Sequence, residues 1–364
     1  MDTSLDGGTS RVTDYLALSE YWMSEAFWPG MVSVIVPTYN RAQLVTRALD
    51  SVFAQTYRPI ELIVIDDGST DETTTVLESW ATQHRGADFD VYLVCQLNQG
   101  AQVARNRGLI ECTGEYIQFL DSDDRILEQK LSVQVGCLKE FVADYCYAKS
   151  EGFNKCGMRS GIEGRPKQYS RPWIIERSWH TSSPLYKRHV VRSVGPWNES
   201  LRVWQDVEYS ARVKAAEFRG VFLDTVLFQS YEHAGPSITR QSAEVYVPAV
   251  LLAMEFMMPL VPVAGRQTRI ERNRLAQHLA NLALIYARQG EIGYPRLCMS
   301  KASSISRGIV KVPITLVAWM CQLVPPQVVL ELGWSIAGLL KSVSRILSLR
   351  MAVRRVPSLE IGRR

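Results

Sequence analysis

The chain is poor in the features that fix a compartment or a cofactor. Its 364 residues hold seven cysteines, an odd number: Cys95, Cys112, Cys137, Cys146, Cys156, Cys298 and Cys321, with no C-x-x-C pair among them. Neither a disulfide framework nor a zinc site is indicated, and a reducing cytoplasm is the expected location. The first 30 residues carry Asp2, Asp6, Asp14 and Glu20 and lack a basic start followed by an apolar core, so no signal peptide is expected there. Residues 309–340 are strongly apolar, but Pro325-Pro326 splits them. Each half falls short of the roughly 20 residues a spanning helix needs. No G-K-[ST] follows a glycine-rich stretch, which excludes a P-loop. Aromatic–basic interleaving is also missing, so nucleic acid is not an expected partner.

What remains is a globular composition, 46% apolar and 21% charged, enough for one large domain with extensions. Charge is unevenly placed. Residues 1–260 carry 25 Lys/Arg against 33 Asp/Glu, and residues 261–364 carry 16 against 4. An acidic body with a basic tail favours contact with an anionic surface.

Continuous β-branched runs at 31–40, 60–66, 90–96 and 116–120 predict buried strands. Residues 41–56 between the first two repeat Leu44, Val45, Ala48, Leu49, Val52 and Phe53 at helical spacing, and 71–86 and 100–114 also read as helices. Alternation of such strands with helices predicts an α/β fold with a parallel sheet covered on both faces. Ligands of such sheets bind beyond the carboxyl ends of the strands. Three polar clusters lie there: Pro37-Thr38-Tyr39-Asn40, Asp66-Asp67-Gly68-Ser69 and Asp121-Ser122-Asp123-Asp124. The last follows the apolar strand YIQFL directly. Packed carboxylates repel one another and are costly to desolvate, so three beside a buried strand predict a cation between them. Residues 150–200 read as polar and irregular, 206–216 as helix and 220–231 as strand; 277–304 reads as a helical hairpin turning near Gly290.

The series VSVIVPTYNR, ELIVIDDGSTDET, NQGAQVARNRGL and YIQFLDSDD resembles the inverting family 2 glycosyltransferases of the GT-A fold, over roughly residues 31–240. The resemblance implies a Rossmann-like, mainly parallel sheet flanked by helices and followed by a mostly helical C-terminal extension. It implies a nucleotide-diphospho-sugar donor, most simply a UDP-sugar, and a divalent metal, Mn2+ or Mg2+. Pro37, Thr38 and Tyr39 would line the base and ribose pocket. Asp67 stands where the family places a uracil-facing acid, with Asp66 the close alternative; a turn cap is the other reading of this pair. Asn98, Gly100, Arg105 and Asn106 match the family's next segment, where Arg105 would reach the nucleotide. Asp121 and Ser122 would touch the donor, and Asp121 and Asp123 would hold the metal, with His233 joining the metal or a phosphate. Asp206 matches the general base, although Gln205 replaces the acid that usually precedes it. Glu208 is the competing carboxylate, displaced by two residues. Trp173, Trp179 and Trp204 are candidates to stack on the acceptor sugar.

The implied organisation is a lead-in at 1–30, a catalytic domain at 31–240, a helical extension at 241–308 and an apolar, basic tail at 309–364. The acceptor would be a glycan or a lipid-linked glycan. The tail is a candidate for peripheral contact with the cytoplasmic face of a membrane, or for packing on the domain. No oligomeric state is read from the sequence. Two rival functions stand beside the transferase: a catalytically impaired relative that only binds sugar nucleotide, and a nucleotidyltransferase. The loop PTYNR lacks the basic, glycine-rich character the latter would want.

Overall fold

The computed structural model describes residues 23–164, 179–233, 242–261, 266–289 and 293–305. Expectations for residues 1–22, for Trp173, for the segment following His233 and for the tail beyond 305 lie outside the described residues. The chain divides into two compact units, Met1–Gln241 with Pro248–Val261, and Ser242–Val247 with Pro262–Arg364.

The first unit opens with β1 (Trp28–Thr38), α1 (Val45–Phe53), β2 (Ile60–Asp66), α2 (Thr73–Gln83), β3 (Phe89–Cys95), α3 (Ala101–Glu111) and β4 (Gly114–Phe119). It continues with β5 (Arg125–Ile126), α4 (Lys130–Glu140), β6 (Tyr145–Phe153), β7 (Arg159–Glu163), β8 (Leu185–Lys187), α5 (Arg188–Val194), α6 (Gln205–Ala215) and β9 (Gly220–Tyr231). These strands form one sheet in the order β3-β2-β1-β4-β8-β6-β9-β5, with β7 paired to β6. From β3 to β4 every pairing is parallel. β8 then runs antiparallel to β4 and to β6, while β6 and β9 are parallel.

The β-branched runs explain the first half. Val32, Val34 and Val36 of β1 point to one face, where Val45, Ala48, Leu49 and Val52 of α1 cover them. Ile35, Ile63 and Ile65 point to the other, against Ala104 and Leu109 of α3. Each fully buried Val, Leu or Ile among them contributes about 1.5–3 kcal/mol. α3 lies so close to β1 that a Cβ on Gly108 would stand 2.4 Å from Ile35 Cγ2, so only glycine permits this approach.

The second half is richer in structure than its sequence suggests. The stretch expected to be irregular contains the end of β6, β7, β8 and α5. Helix α4 has a core face that carries Lys130 and Gln134 as well as Leu131, Val135 and Leu138. Trp179 is buried against Tyr145 and Tyr147, a core position rather than a sugar platform.

Beyond the sheet, α7 (Ala243–Met257) is apolar. Residues Ala243–Leu260 form the one helix among those described that is long and apolar enough to cross a membrane, with 33% of it buried. In the second unit α8 (Arg266–Arg288) and α9 (Gly293–Ile305) pack together as the expected hairpin.

Candidate active site

The three polar clusters meet at one end of the sheet. Thr38 and Asp66 are cross-strand partners at the carboxyl ends of β1 and β2. Asn40 ties the two loops together: its N–H donates to Ser69 Oγ at 2.9 Å and its Oδ1 accepts from Thr70 N at 2.8 Å. Pro37 pairs in register with Ile65, and Tyr39 is 42% exposed beside them. Thr38 is buried, and its Oγ1 has no hydrogen-bond partner among the described residues. A buried hydroxyl left unpaired costs about 1–3 kcal/mol, which a bound ligand can recover.

Asp66 and Asp67 are both buried and both organise loops. Asp66 accepts from Ser69 N at 3.0 Å and Thr74 Oγ1 at 2.6 Å. Asp67 accepts from Gln96 Nε2 at 2.7 Å, Gln99 N at 3.0 Å and Gly100 N at 2.7 Å. This carboxylate therefore shapes the loop that leads into α3, which carries exposed Asn98. Gly68 sits at φ +77°, and a Cβ there would stand 2.8 Å from Asn98 N.

α3 delivers Arg105 into the centre. One nitrogen of its guanidinium donates to Asp121 Oδ1 at 2.7 Å and another to Gln205 Oε1 at 2.9 Å. The group lies over the Trp197 ring, 4.5 Å from its centroid, and is almost fully buried. Gln205 Nε2 in turn donates to Gln102 Oε1 at 2.8 Å and Arg202 O at 3.3 Å. A glutamate at 205 could not make those donations, so the amide is built into this arrangement. Asp206 follows in the first turn of α6, which starts after Trp204 in a left-handed conformation, φ 59°. Glu208 is buried and held by Arg212 through two bonds of 2.7 and 2.9 Å. The competing carboxylate is thus engaged in a structural pair, whereas Asp206 is half-buried at the helix start.

The aspartate loop separates into two groups. Asp123 Oδ2 meets His233 Nε2 at 3.0 Å. Asp121, Asp124 and His180 form the second group, with one ligand atom from each within 4.8 Å of the others. Asp124 closes the turn through its N–H to Asp121 O at 3.0 Å and accepts from Ser182 Oγ at 2.6 Å. Burial pushes its carboxyl well above the usual carboxylate range, and the charges of Asp123 and Asp121 push it further. Ser122 is buried in the same turn. Arg47 of α1 donates to Asp123 O at 2.5 Å and lies 3.8 Å from the ring centroid of Tyr231, two residues before His233. Carboxylates repelling one another beside two imidazoles form a donor set that fits a divalent cation. His180, Ser182, Arg47 and Gln96 were not singled out from sequence. They lie in no motif, and only the tertiary fold brings them here.

Known proteins agree with this architecture. The family model "Glycosyl transferase family 2" matches residues 33–185. Glycosyltransferase GlyA of Streptococcus pneumoniae serotype 4 is 34% identical over 270 residues, 69% of this chain but 38% of GlyA's own length. The chain thus spans well under half of that relative. An uncharacterized glycosyltransferase of Rickettsia prowazekii is 34% identical over 227 residues, 58% of this chain and 67% of that protein. The crystal structure of S. aureus TarS 1-349 in complex with UDP-GlcNAc has the same fold, with a TM-score of 0.61 at 19% identity, covering 83% of this chain and 90% of that one. A match over most of a relative's length, on a shared sheet and with the polar clusters gathered at its carboxyl edge, makes this chain a member of the family 2 glycosyltransferases, with the GT-A fold.

Proposed function

We propose that the chain transfers a sugar from a nucleotide-diphospho-sugar, most simply a UDP-sugar, to a hydroxyl of a glycan or lipid-linked acceptor, with inversion at the anomeric carbon. The observation that carries this reading is the guanidinium of Arg105, which binds the aspartate loop through Asp121 and the start of α6 through Gln205. One buried group thereby joins the donor side of the site to the helix that bears Asp206.

In this reading Thr38 Oγ1 and Tyr39 meet the nucleoside, and the loop shaped by Asp67 presents Asn98 and Gly100 to it. The aspartate loop of Asp121, Asp123 and Asp124 would hold a divalent ion, which when bound neutralises charge on the diphosphate as it leaves. Asp206 takes the proton of the acceptor hydroxyl. That oxygen forms its bond to the anomeric carbon as the bond from this carbon to the diphosphate oxygen breaks. The nucleoside diphosphate carries away the electron pair. Catalytic impairment through Gln205 finds little support, because the amide is fully used in holding Arg105 and Gln102. Work at the cytoplasmic face of a membrane, on a polysaccharide precursor, is supported by the apolar helix 243–260 and by the basic C-terminal sequence.

The test is nucleoside diphosphate release from a panel of UDP-, GDP- and dTDP-sugars, with and without Mn2+ or Mg2+. Release from one donor that needs metal and disappears in Asp123→Ala is expected. With an acceptor in hand, Asp206→Asn should lower transfer roughly 10²–10⁴-fold while donor binding persists. Absence of binding to every donor sinks the proposal.

A further inference from the structure

We propose that His180 is a metal ligand, and that with Asp121 and Asp124 it makes this centre select Mn2+ over Mg2+. The inference rests on the metal-dependent transferase reading above and names the ligand set within it. Sequence pointed to His233 as the imidazole of the centre. The geometry divides the work differently. His233 is committed to Asp123 at 3.0 Å, an ordinary hydrogen-bonded separation. His180 Nδ1 stands 3.4 Å from Asp124 Oδ2. That is long for a charge-assisted hydrogen bond, which runs to about 2.7–2.9 Å. One ligand atom each from Asp121, Asp124 and His180 lies within 4.8 Å of the others, as the ligands of one cation do, whereas Asp123 and His233 gather no third such ligand among the described residues.

Chain connectivity supports the assignment. Ser182, two residues after His180, donates to Asp124 Oδ2 and accepts from Asp121 N at 3.2 Å. The segment 180–182 is therefore pinned to the aspartate turn by contacts that do not involve the imidazole. The ring also lies against Phe228 of β9, centroids 5.6 Å apart, which limits its swing. An imidazole among the carboxylates sets this site apart from the all-oxygen sets that suit Mg2+. Replacing one oxygen by nitrogen favours the first-row transition ions.

The experiment uses the full chain and the metal alone. Mn2+ and Mg2+ affinities are measured by titration calorimetry for the wild type, His180→Gln and His233→Gln, and pulsed electron paramagnetic resonance of bound Mn2+ reports nitrogen coupling from an imidazole. The expected wild type binds Mn2+ at least about tenfold tighter than Mg2+ and shows nitrogen coupling. His180→Gln should lose both the preference and the coupling, and His233→Gln should keep both. If His233→Gln removes the coupling and His180→Gln does not, the assignment is overturned and the metal-dependent transferase stands. Coupling absent from the wild type also overturns it. If the wild type binds neither ion, with or without a nucleoside diphosphate, the metal-dependent reading falls with it. Should His180→Gln fail to fold, by circular dichroism, the wild-type coupling and its fate in His233→Gln still decide between the two imidazoles.

Discussion

Replacing Lys130 by methionine should cost more stability at alkaline than at neutral pH. Lys130 is fully buried, and its Nζ donates to Gln118 Oε1 and, at 2.6 Å, to Gln134 Oε1. Burial lowers its pKa from 10.5 to about 7. The folded pKa lies below the unfolded one, so between these values the unfolded chain binds more protons than the folded chain. Stability must therefore rise with pH across this window, and it is lowest below about pH 7. Integrating from pH 7 to about pH 9.5 gives a gain of roughly 3 kcal/mol from this one side chain. Methionine removes that dependence at every pH. It also leaves the two buried amide oxygens without this donor, at about 1–3 kcal/mol each. The assay is urea unfolding of both proteins at about pH 7 and about pH 9.5. The wild-type advantage over Lys130→Met should widen by roughly 1–3 kcal/mol between the two conditions. An advantage that stays constant, or narrows, would refute a buried lysine that sheds its proton in the folded state.

Other perturbations separate folding from function. Thr38→Val removes a buried hydroxyl that has no partner among the described residues, so the melting temperature should hold or rise, while UDP affinity measured by calorimetry should fall about tenfold if that hydroxyl meets the nucleoside. Glu208→Gln removes the buried charge paired with half-buried Arg212, which keeps its bond to Val194 O, and should cost about 1–3 kcal/mol in denaturant unfolding. Asp206→Asn should leave the melt nearly unchanged and lower transfer roughly 10²–10⁴-fold, and equal effects from the two substitutions would argue against Asp206 as the base. Gly68→Ala forces a Cβ towards Asn98 N at a left-handed position and should cost about 1–3 kcal/mol of stability.

The first half of the sheet was legible because its signals are local. Strand β2 is IELIVID, buried throughout, and strands buried on both faces read as near-continuous apolar runs, broken here by Glu61, whose carboxylate accepts from Ser33 Oγ and Thr113 Oγ1. The chemistry at its end follows from topology: parallel strands deliver their carboxyl ends to one edge, so Thr38, Asp66 and Asp121 had to converge. The second half hides for the opposite reason. α4 turns Lys130 and Gln134 into the core, where they bond to each other, and a helix with polar residues on its inner face loses its amphipathic signature. β8 is three residues long, and β7 is exposed throughout, so neither carries a hydrophobic pattern. Asp67 showed its position but not its bonds. A carboxylate that accepts from a side chain and two backbone N–H groups about 30 residues away leaves no trace in spacing. His180 was invisible for the same reason.

The bonds that complete the site also differ in how far they reach along the chain. Those that shape the donor side are short: Asn40 to Thr70 spans 30 residues and Asp67 to Gly100 spans 33. Those that attach the rest are long: Asp121 to Ser182 spans 61, Asn106 to Trp197 91 and Arg105 to Gln205 100. Closing a longer loop costs more entropy and comes later. At about 5–20 residues per second, a ribosome delivers Gln205 roughly 5–20 s after Arg105. Until then the buried guanidinium has no partner on α6. A growing chain thus has its nucleotide-facing half made well before the helix that carries the base, and an interrupted one ends without Asp206.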